Sequence, residues 1–370
     1  LDYARDNIDL EPACWRSSQG RACAQFRRRA DSTSLAFRLQ DWAFAYFQSF
    51  LPPQWTISGS ASGTGQLQFG TGGLREAGVD LRTTAGELKV GSQVAMAFEP
   101  SRLLVQEQAS GLRAQLHLPM REGGVFLDAN LGAAAALARR PPSGTLRIDF
   151  SDLTPLRMLS PEIDSVAGKV HGQFALGGTA AQPRGDGVAT LSDGAIRLAT
   201  PGIELKPVRA ELRSSSSSDL IQFNAQATSG GGELHVEGQT DPRSQEKVLS
   251  LKITGKDFQA VNVPQARVWI SPDLRFDLGR HRADLAGEVQ VPRADILPRT
   301  FAQGVGPSRD QVIVGPAGES EQGGMLKIYS NVRIVLGDAV RFEGFGLKSK
   351  LEGAITAIDL TKGDISWRVA

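Results

Sequence analysis

Apolar and polar residues alternate with a period of two over long stretches of this chain. From Leu326 to Phe342 the even positions are apolar except Ser330 and Asp338, and Lys, Asn and Arg occupy several odd positions. This period is typical of β-strands with one apolar and one solvated face. After Gly344 the apolar residues move to odd positions, and a turn or bulge there would return both runs to one face. The pattern predicts a sheet with a long apolar face.

The same alternation recurs along much of the chain, separated by glycine-rich turn segments. The segments that show it are 112–118, 146–150, 208–212, 221–227, 249–254 and 287–291. Forty-one glycines, 19 prolines and only 6% aromatic residues fit many short strands joined by turns and do not fit a helical bundle. We therefore predict an all-β fold.

Two segments break the strand pattern and predict short helices. The first runs from Trp42 to Phe50, with Asp41 as its N-cap and Pro52-Pro53 as its stop. Three aromatic residues of this helix share one face, and the helix either caps a repeat or plugs a groove. The second runs over 152–159, with Asp152 as the cap and Pro155 in the first turn, where proline is tolerated.

These helices belong to a repeat of about 105–110 residues. Each copy has an alternating strand, an Asp followed by an apolar residue, a proline and a later glycine, and the copies begin near Leu35, Leu146 and, more faintly, Leu251. Such repeats favour a stacked architecture over independent globules. We expect the repeats to extend over 1–283 and the polar, Gly- and Pro-rich segment near 301–324 to form a mobile loop.

Charge and hydropathy exclude several classes of function. Lys plus Arg number 41 and Asp plus Glu number 40, so no net field attracts nucleic acid or acidic lipid. No run of about 18 apolar residues predicts a membrane span, and no signal peptide is visible, so we expect any anchor to lie outside these 370 residues. Cys14 and Cys23 flank a turn, and they form either a disulfide of an oxidising compartment or two half-buried thiols.

No catalytic or metal-binding constellation is apparent. The four histidines, at positions 117, 171, 235 and 281, have no metal-ligand partner at the usual spacing, and solvated side chains are the better interpretation. Nucleophile-elbow, phosphate-loop and dinucleotide motifs are also missing from the sequence. We expect a protein without cofactor or metal that is not an enzyme.

Several segments resemble the TamB family, the inner-membrane-anchored subunit of the translocation and assembly module. The resemblance is strongest at Glu288–Ile296, Ser330–Ile334, Gly337–Phe342 and Gly344–Gly353. Their order is similar to the start of that family's C-terminal domain. The resemblance therefore implies a repeated β-groove region over 1–283 and the start of that C-terminal domain over 284–370, with one continuous trough through both. Gly194–Leu205, Gly230–Gly238 and the early cysteine pair fit more diffusely.

The resemblance implies an elongated, U-shaped sheet of stacked strands, or β-taco, with an apolar groove and a few short capping helices. Relatives of this kind belong with the AsmA-like and bridge-like lipid transfer proteins. The implied function is a conduit for phospholipid across the periplasm of a Gram-negative bacterium, supporting outer-membrane biogenesis. The alternative is a scaffold for assembling outer-membrane proteins or autotransporters by β-augmentation. An inner-membrane anchor and the segment that meets a TamA-like outer-membrane barrel are expected outside this chain.

If the protein is a lipid conduit, its partners are phospholipid acyl chains, which would slide along aliphatic side chains. The predicted groove lining is Leu249, Leu251, Ile253, Val289, Val291, Leu326, Ile328, Val332, Ile334, Leu336, Val340, Phe342, Leu347, Leu351 and Ile355. The alternative for the same residues is that they close on one another as a dry sandwich or solenoid core.

Overall fold

The structure is a computed structural model of the chain. It describes residues 2–4, 7–71, 73–91, 93–132, 137–160, 162–215, 217–218, 220–241, 244, 247–298, 327–360 and 365–369. The expected loop at 301–324 lies outside these ranges. The chain divides into two compact units, Leu1–Ala195 with Arg209–Ile221, and Ile196–Val208 with Gln222–Ala370.

Strands and short 3₁₀ helices make up the first part of the chain. The strands are β1 (Asp2–Ala4), β2 (Asn7–Arg16), β3 (Arg21–Arg29), β4 (Ser32–Ala43), β5 (Trp55–Ile57), β6 (Ser60–Gly70), β7 (Gly73–Thr83), β8 (Gly86–Val90), β9 (Gln93–Phe98), β10 (Arg102–Gln108), β11 (Gly111–Met120), β12 (Gly123–Gly132), β13 (Pro142–Phe150), β14 (Ile163–Thr179) and β15 (Gln182–Leu198). The 3₁₀ helices are η1 (Phe44–Phe50), η2 (Leu137–Arg139) and η3 (Thr154–Leu159).

The second part of the chain consists of strands. They are β16 (Ile203–Ser214), β17 (Ile221–Ser229), β18 (Gly232–Thr240), β19 (Leu249–Lys256), β20 (Phe258–Val263), β21 (Ala266–Leu278), β22 (Arg282–Ile296), β23 (Lys327–Gly344), β24 (Leu347–Lys350), β25 (Gly353–Leu360) and β26 (Ile365–Val369). The six shorter alternating segments and residues 327–342 each fall within a strand, and Leu326 lies outside the described residues. The run after Gly344 is divided between a turn, β24 and β25. The all-β prediction is confirmed.

The first unit is an antiparallel sheet in which most strands pair with the next long strand along the chain. β4 pairs with β6, β6 with β7, β7 with β10, and β10 through β14 follow in sequence. The short strands β5, β8 and β9 pair with one another and continue the sheet beyond a bend. Facing residues in such a ladder share one face of the sheet, so the parity of each strand determines which face is apolar.

The second unit combines antiparallel pairing with one parallel pair. β19 and β20 both pair with β21, β21 pairs with β22, and β22 runs parallel to β23. β24 and β25 then pair with the two ends of β23. The turn at Phe345-Gly346 places Val340, Phe342, Leu347 and Leu351 on one face, which is what the change of parity after Gly344 predicts.

A bend in the sheet is built from three neighbouring strands in the same way in both units. Asp41 has a φ of 46°, and its backbone N–H donates to Ser62 Oγ at 2.8 Å. The Asp41 carbonyl oxygen packs closely on Gly20. A Cβ added at Gly20 would lie only 2.3 Å from that oxygen. A short polar side chain tolerates this left-handed backbone better than a branched one. The bend therefore requires a glycine, an aspartate and a serine in successive strands.

The second unit repeats this bend at Asp257. That residue has a φ of 50°, and its N–H donates to Ser271 Oγ at 3.0 Å. Gly232 provides the close approach, because a Cβ there would collide with the Asp257 carbonyl. Asp257 leads directly into β20, so this third copy of the sequence repeat has no helix at the corresponding place.

The predicted helices are present, but they are shorter and of a different type. Trp42 lies in β4 and η1 begins at Phe44, so the prediction that Asp41 is an N-cap is wrong. Asp41 instead forms the bend, and its carboxylate accepts a hydrogen bond from the Ser62 hydroxyl. The prediction that Asp152 is the N-cap of the second helix is also wrong, because η3 is a 3₁₀ helix that begins at Thr154 and has Leu153 as its N-cap. Asp152 lies one residue earlier and accepts hydrogen bonds from the backbone and hydroxyl of Thr154.

Candidate functional site

The second unit carries a continuous apolar face whose rows cross several strands. One row follows the pairing from β18 to β25 and consists of Val236, Ile253, Leu274, Gly287, Val332 and Ala357. The next row along β22, β23 and β25 consists of Val289, Ile334 and Ile355. Since facing residues share a face, aliphatic side chains that are far apart in sequence form one surface.

At the bend, the apolar faces on its two sides meet in a small buried cluster. Val340 is 1% exposed and Ala294 2% exposed, and Val291 completes the buried group. Partly buried apolar residues pack around them, and these are Val268, Ile270, Ile296, Ile334, Leu336 and Leu351. Two bulges accompany the bend: β23 has one extra residue opposite Pro292 of β22, and β22 has one extra residue opposite Ile270 of β21. A bulge changes the side-chain parity, and Val291 and Ala294 thereby reach the same cluster although they are three residues apart.

The structure places most of the predicted lining residues on this surface, with different degrees of burial. Val291, Ile334, Leu336, Val340 and Leu351 belong to the cluster at the bend or contact it. Away from it, seven predicted residues lie at register positions on the same face: Leu249, Leu251, Ile253, Val289, Val332, Phe342 and Ile355. Most of them are half-buried. Leu347 also shares the face but is 60% exposed. Leu326 and the side chain of Ile328 lie outside the described residues.

The opposite face of the second unit carries paired charges. Arg333 lies 3.4 Å from Glu288 across the parallel pair, and Lys247 lies 3.1 Å from Asp277. Hydrogen bonds from Ser250 and Lys247 hold the pKa of Asp277 below its usual range. These solvated ion pairs identify the charged, solvent-exposed face of the sheet.

The first unit repeats the division into an apolar and a charged face. A row of apolar residues crosses six paired strands and consists of Leu81, Leu103, Leu116, Leu127, Leu146 and Phe174. On the opposite face Arg102 donates two hydrogen bonds to Asp80, which lower the pKa of that carboxyl. The apolar pattern read from the last third of the sequence therefore also describes the first unit.

One ion pair lies at the edge of the apolar face of the first unit. Glu107 follows Leu103 and Val105 at two-residue spacing, and its carboxylate accepts a hydrogen bond of 2.8 Å from Arg140. Arg140 is 8% exposed, and its Nε has no hydrogen-bond partner among the described atoms. The alternation of residues did not single out this pair, because Arg140 lies outside any strand.

A cavity of about 740 Å³ lies between η3 and the apolar face of the first unit. Its floor comes from β9, β11, β13 and β14, and its roof comes from residues 153–158. Met96, Met120 and Met158 all line it. The sequence pattern did not reveal this cavity, because the three methionines come from separate elements. The clustering of three of the chain's four methionines is apparent only after folding.

The cysteines and two of the histidines considered in the sequence make contacts that stabilise the fold. Cys14 and Cys23 face each other across β2 and β3 and are joined as a disulfide. Nδ1 of His171 lies 2.6 Å from a carboxylate oxygen of Asp149, and the ring of His117 lies against Phe126. Within the described part of the chain, no group of three His, Cys, Asp or Glu residues is arranged to hold a metal ion. No helix in that part is both long and apolar enough to cross a membrane.

Comparison with known proteins gives two family matches along the chain. The family model of the TamB N-terminal domain matches residues 1–191, and that of the TamB C-terminal domain matches residues 222–365. The translocation and assembly module subunit TamB of Haemophilus influenzae is 25% identical over 273 residues, which is 65% of this chain. The chain spans about one fifth of that relative's length, since the match covers 20% of it. No solved structure matches. With one family model covering half of its residues and a second covering most of the rest, this chain belongs to the TamB family.

Proposed function

We propose that this chain is a section of a conduit that carries phospholipid between the inner and outer membranes across the periplasm of a Gram-negative bacterium. In this proposal acyl chains lie against the apolar faces of the two units, and headgroups stay at the solvated rim. The chain acts as part of a translocation and assembly module together with a TamA-like outer-membrane barrel. It performs no catalysis and needs no cofactor.

The observation that carries this proposal is the register of half-buried aliphatic residues in the second unit. Val289, Ile334 and Ile355 are neighbours on three strands, and each keeps part of its side chain accessible. A closed core would bury such a row as completely as Val340, which is 1% exposed. Apolar residues that are aligned but incompletely covered favour a mobile apolar occupant.

The chemistry of the surface favours acyl chains over a polar small molecule. Binding sites for small molecules combine an apolar lining with a few convergent polar groups that fix the ligand's orientation. In the second unit charged residues such as Arg333 and Glu288 lie on the opposite face, where these two pair with each other. An aliphatic surface without fixed polar contacts allows a chain to slide along it.

Photo-crosslinking in cells tests this proposal. A photoreactive residue replaces Ile334 on the apolar face, and a second protein carries it at Arg333 on the charged face as the matched control. We expect phospholipid adducts from the Ile334 position and none from the Arg333 position. Protein adducts without lipid at Ile334 would contradict the conduit for this segment.

A second function, a scaffold for outer-membrane proteins, is favoured by the exposure of β24. Within the described part of the chain this strand pairs with β23 alone, and its four residues are all exposed. Leu347, its first residue, is 60% exposed, and Phe345 in the preceding turn is 51% exposed. An edge strand with free backbone groups and exposed apolar side chains can add another strand.

The two functions respond differently to substitution. Strand addition should weaken when proline replaces Lys348, because proline removes a backbone donor of β24. It should be unaffected by Ile334→Asp. Binding of an unfolded β-barrel segment to the purified chain measures this, and loss of binding in Ile334→Asp with none in Lys348→Pro would contradict the scaffold.

A further inference from the structure

The cavity beneath η3 differs from the rest of the apolar surface because it is covered. Leu153 is buried at the start of the roof, and Met158 lies near its end. Ile148, Phe150 and Val170 contribute to the floor and lie on the apolar face of β13 and β14. Its volume of about 740 Å³ is within the range of about 300–1,000 Å³ that pockets for single ligands have.

Two backbone hydrogen bonds join the strands around the cavity. The Arg121 N–H donates to the Ala97 carbonyl at 3.1 Å, and the Ser151 N–H donates to the Glu122 carbonyl at 2.8 Å. These bonds join the strands of the floor where their regular pairing ends. The floor is therefore a continuous surface rather than a gap between strands.

Methionine gives the lining an unusual composition for this chain. Met96, Met120 and Met158 come from β9, β11 and η3, and the whole sequence has only four methionines. Methionine side chains are flexible and polarisable, and they adapt to apolar partners of varied shape. A lining of this kind suits a flexible hydrocarbon chain better than a rigid ring.

Four charged residues line the cavity, and they are Arg121, Glu122, Asp152 and Arg157. The carboxylate of Asp152 is engaged by its own neighbour. Both the backbone N–H and the hydroxyl of Thr154 donate to Asp152 Oδ1, at 2.9 and 2.6 Å. These hydrogen bonds hold the pKa of Asp152 below its usual range. Arg121 and Glu122 lie between β11 and β12, and Arg157 lies in η3. The cavity thus combines an apolar lining with cationic and anionic groups, which could accommodate a zwitterionic headgroup.

We infer that this cavity holds one acyl chain of a phospholipid, with the headgroup near Arg121. The inference rests on the proposed function and adds a defined binding position to it. Unlike the open rows of the second unit, this position retains a chain between two surfaces. Transport through the first unit would then proceed through a bound stage at η3.

Photo-crosslinking of the purified 370-residue chain with phosphatidylethanolamine tests the inference. p-Benzoylphenylalanine replaces Met158 in the roof, and the matched control carries it at Leu104 on the opposite face of the sheet. We expect lipid adducts at position 158 and none at position 104. Adding Met120→Asp should lower the yield at position 158 by more than about tenfold, because an ionised carboxylate beside the chain would have to lose its hydration. Met120→Leu, which keeps the volume and polarity, should leave the yield unchanged.

The outcomes separate this inference from the proposed function. Lipid adducts at Ile334 with none at position 158 would overturn the cavity as a site and leave the conduit intact. No lipid adducts at either position would overturn both. Adducts with free palmitate but not with phosphatidylethanolamine would also overturn the assignment, since the cavity would then accept a fatty acid and exclude a phospholipid. Equal loss of adducts in Met120→Asp and Met120→Leu would show that packing, and not the apolar interior, determines binding.

Discussion

A carboxylate introduced at two positions of β23 distinguishes an open apolar face from a closed core. Val340 is 1% exposed in the cluster at the bend, whereas Ile334 is half-buried beside Val289 and Ile355. Val340→Asp and Ile334→Asp place the same charge in the same strand. Thr356→Asp, on the charged face next to Arg333, is the control.

The expected losses follow from the burial of each site. Val340→Asp loses the transfer free energy of a buried valine, about 1.5–3 kcal/mol, and also buries a carboxyl without a partner, so the total loss is about 4–5 kcal/mol. Ile334→Asp loses only part of the isoleucine burial and keeps much of the carboxylate hydrated, so about 1–2 kcal/mol is expected. Thr356→Asp should change the unfolding free energy by less than about 0.5 kcal/mol.

Urea unfolding at pH 8 and pH 5 measures these differences. A carboxyl at position 340 has its pKa raised by burial, so protonation relieves the penalty and the loss should be smaller at pH 5 than at pH 8. At position 334 the loss should depend little on pH. The reasoning is refuted if Ile334→Asp destabilises the protein as much as Val340→Asp with the same pH dependence, because the face would then be a dry core.

Three further predictions concern polar and covalent contacts. Glu107→Gln should lower the unfolding free energy by about 1–2 kcal/mol. This is less than the loss of about 3–5 kcal/mol for a fully buried pair, because Glu107 is partly exposed. The double variant Glu107→Gln with Arg140→Leu should recover most of this loss in urea titrations. Asp277→Asn should destabilise the protein at pH 7. Since folding lowers the pKa of Asp277, the difference in unfolding free energy from the wild type should vanish as the pH falls through that folded pKa. A constant difference down to pH 2 would contradict this prediction. Reducing the bond between Cys14 and Cys23 should cost about 2–3 kcal/mol in the loop-entropy model, and an unchanged thermal midpoint in reductant would contradict this.

Strand parity was the part of the fold that the sequence predicted best. Residues 249–253 alternate, and residues 326–342 do so with Ser330 and Asp338 as the exceptions at even positions. A one-residue error would move a whole strand to the other face. The bends were not predicted, because Asp41 and Asp257 look like helix caps or turn residues until their serine and glycine partners on neighbouring strands are known. The same limit explains why the predicted helix was placed two residues too early at Trp42.

The candidate site was predictable only where it follows strand alternation. Val289, Ile334 and Ile355 were identified because each lies in an alternating segment. The cavity under η3 was not, since Met96, Met120 and Met158 are separated by more than 20 residues and have no common motif. A site formed by distant elements leaves no local periodic signal.

The bend at Asp257 also determines the dimensions of the apolar surface. β19 has eight residues before it and β20 has six after it, so the two arms measure about 26 and 20 Å at a rise of about 3.3 Å per residue. Lengthening every strand of one arm by two residues would widen the surface and preserve its polarity, whereas lengthening by one would reverse it. The glycine, aspartate and serine of the bend thus mark a fixed origin from which evolution or design can adjust the width of the apolar surface in steps of two residues.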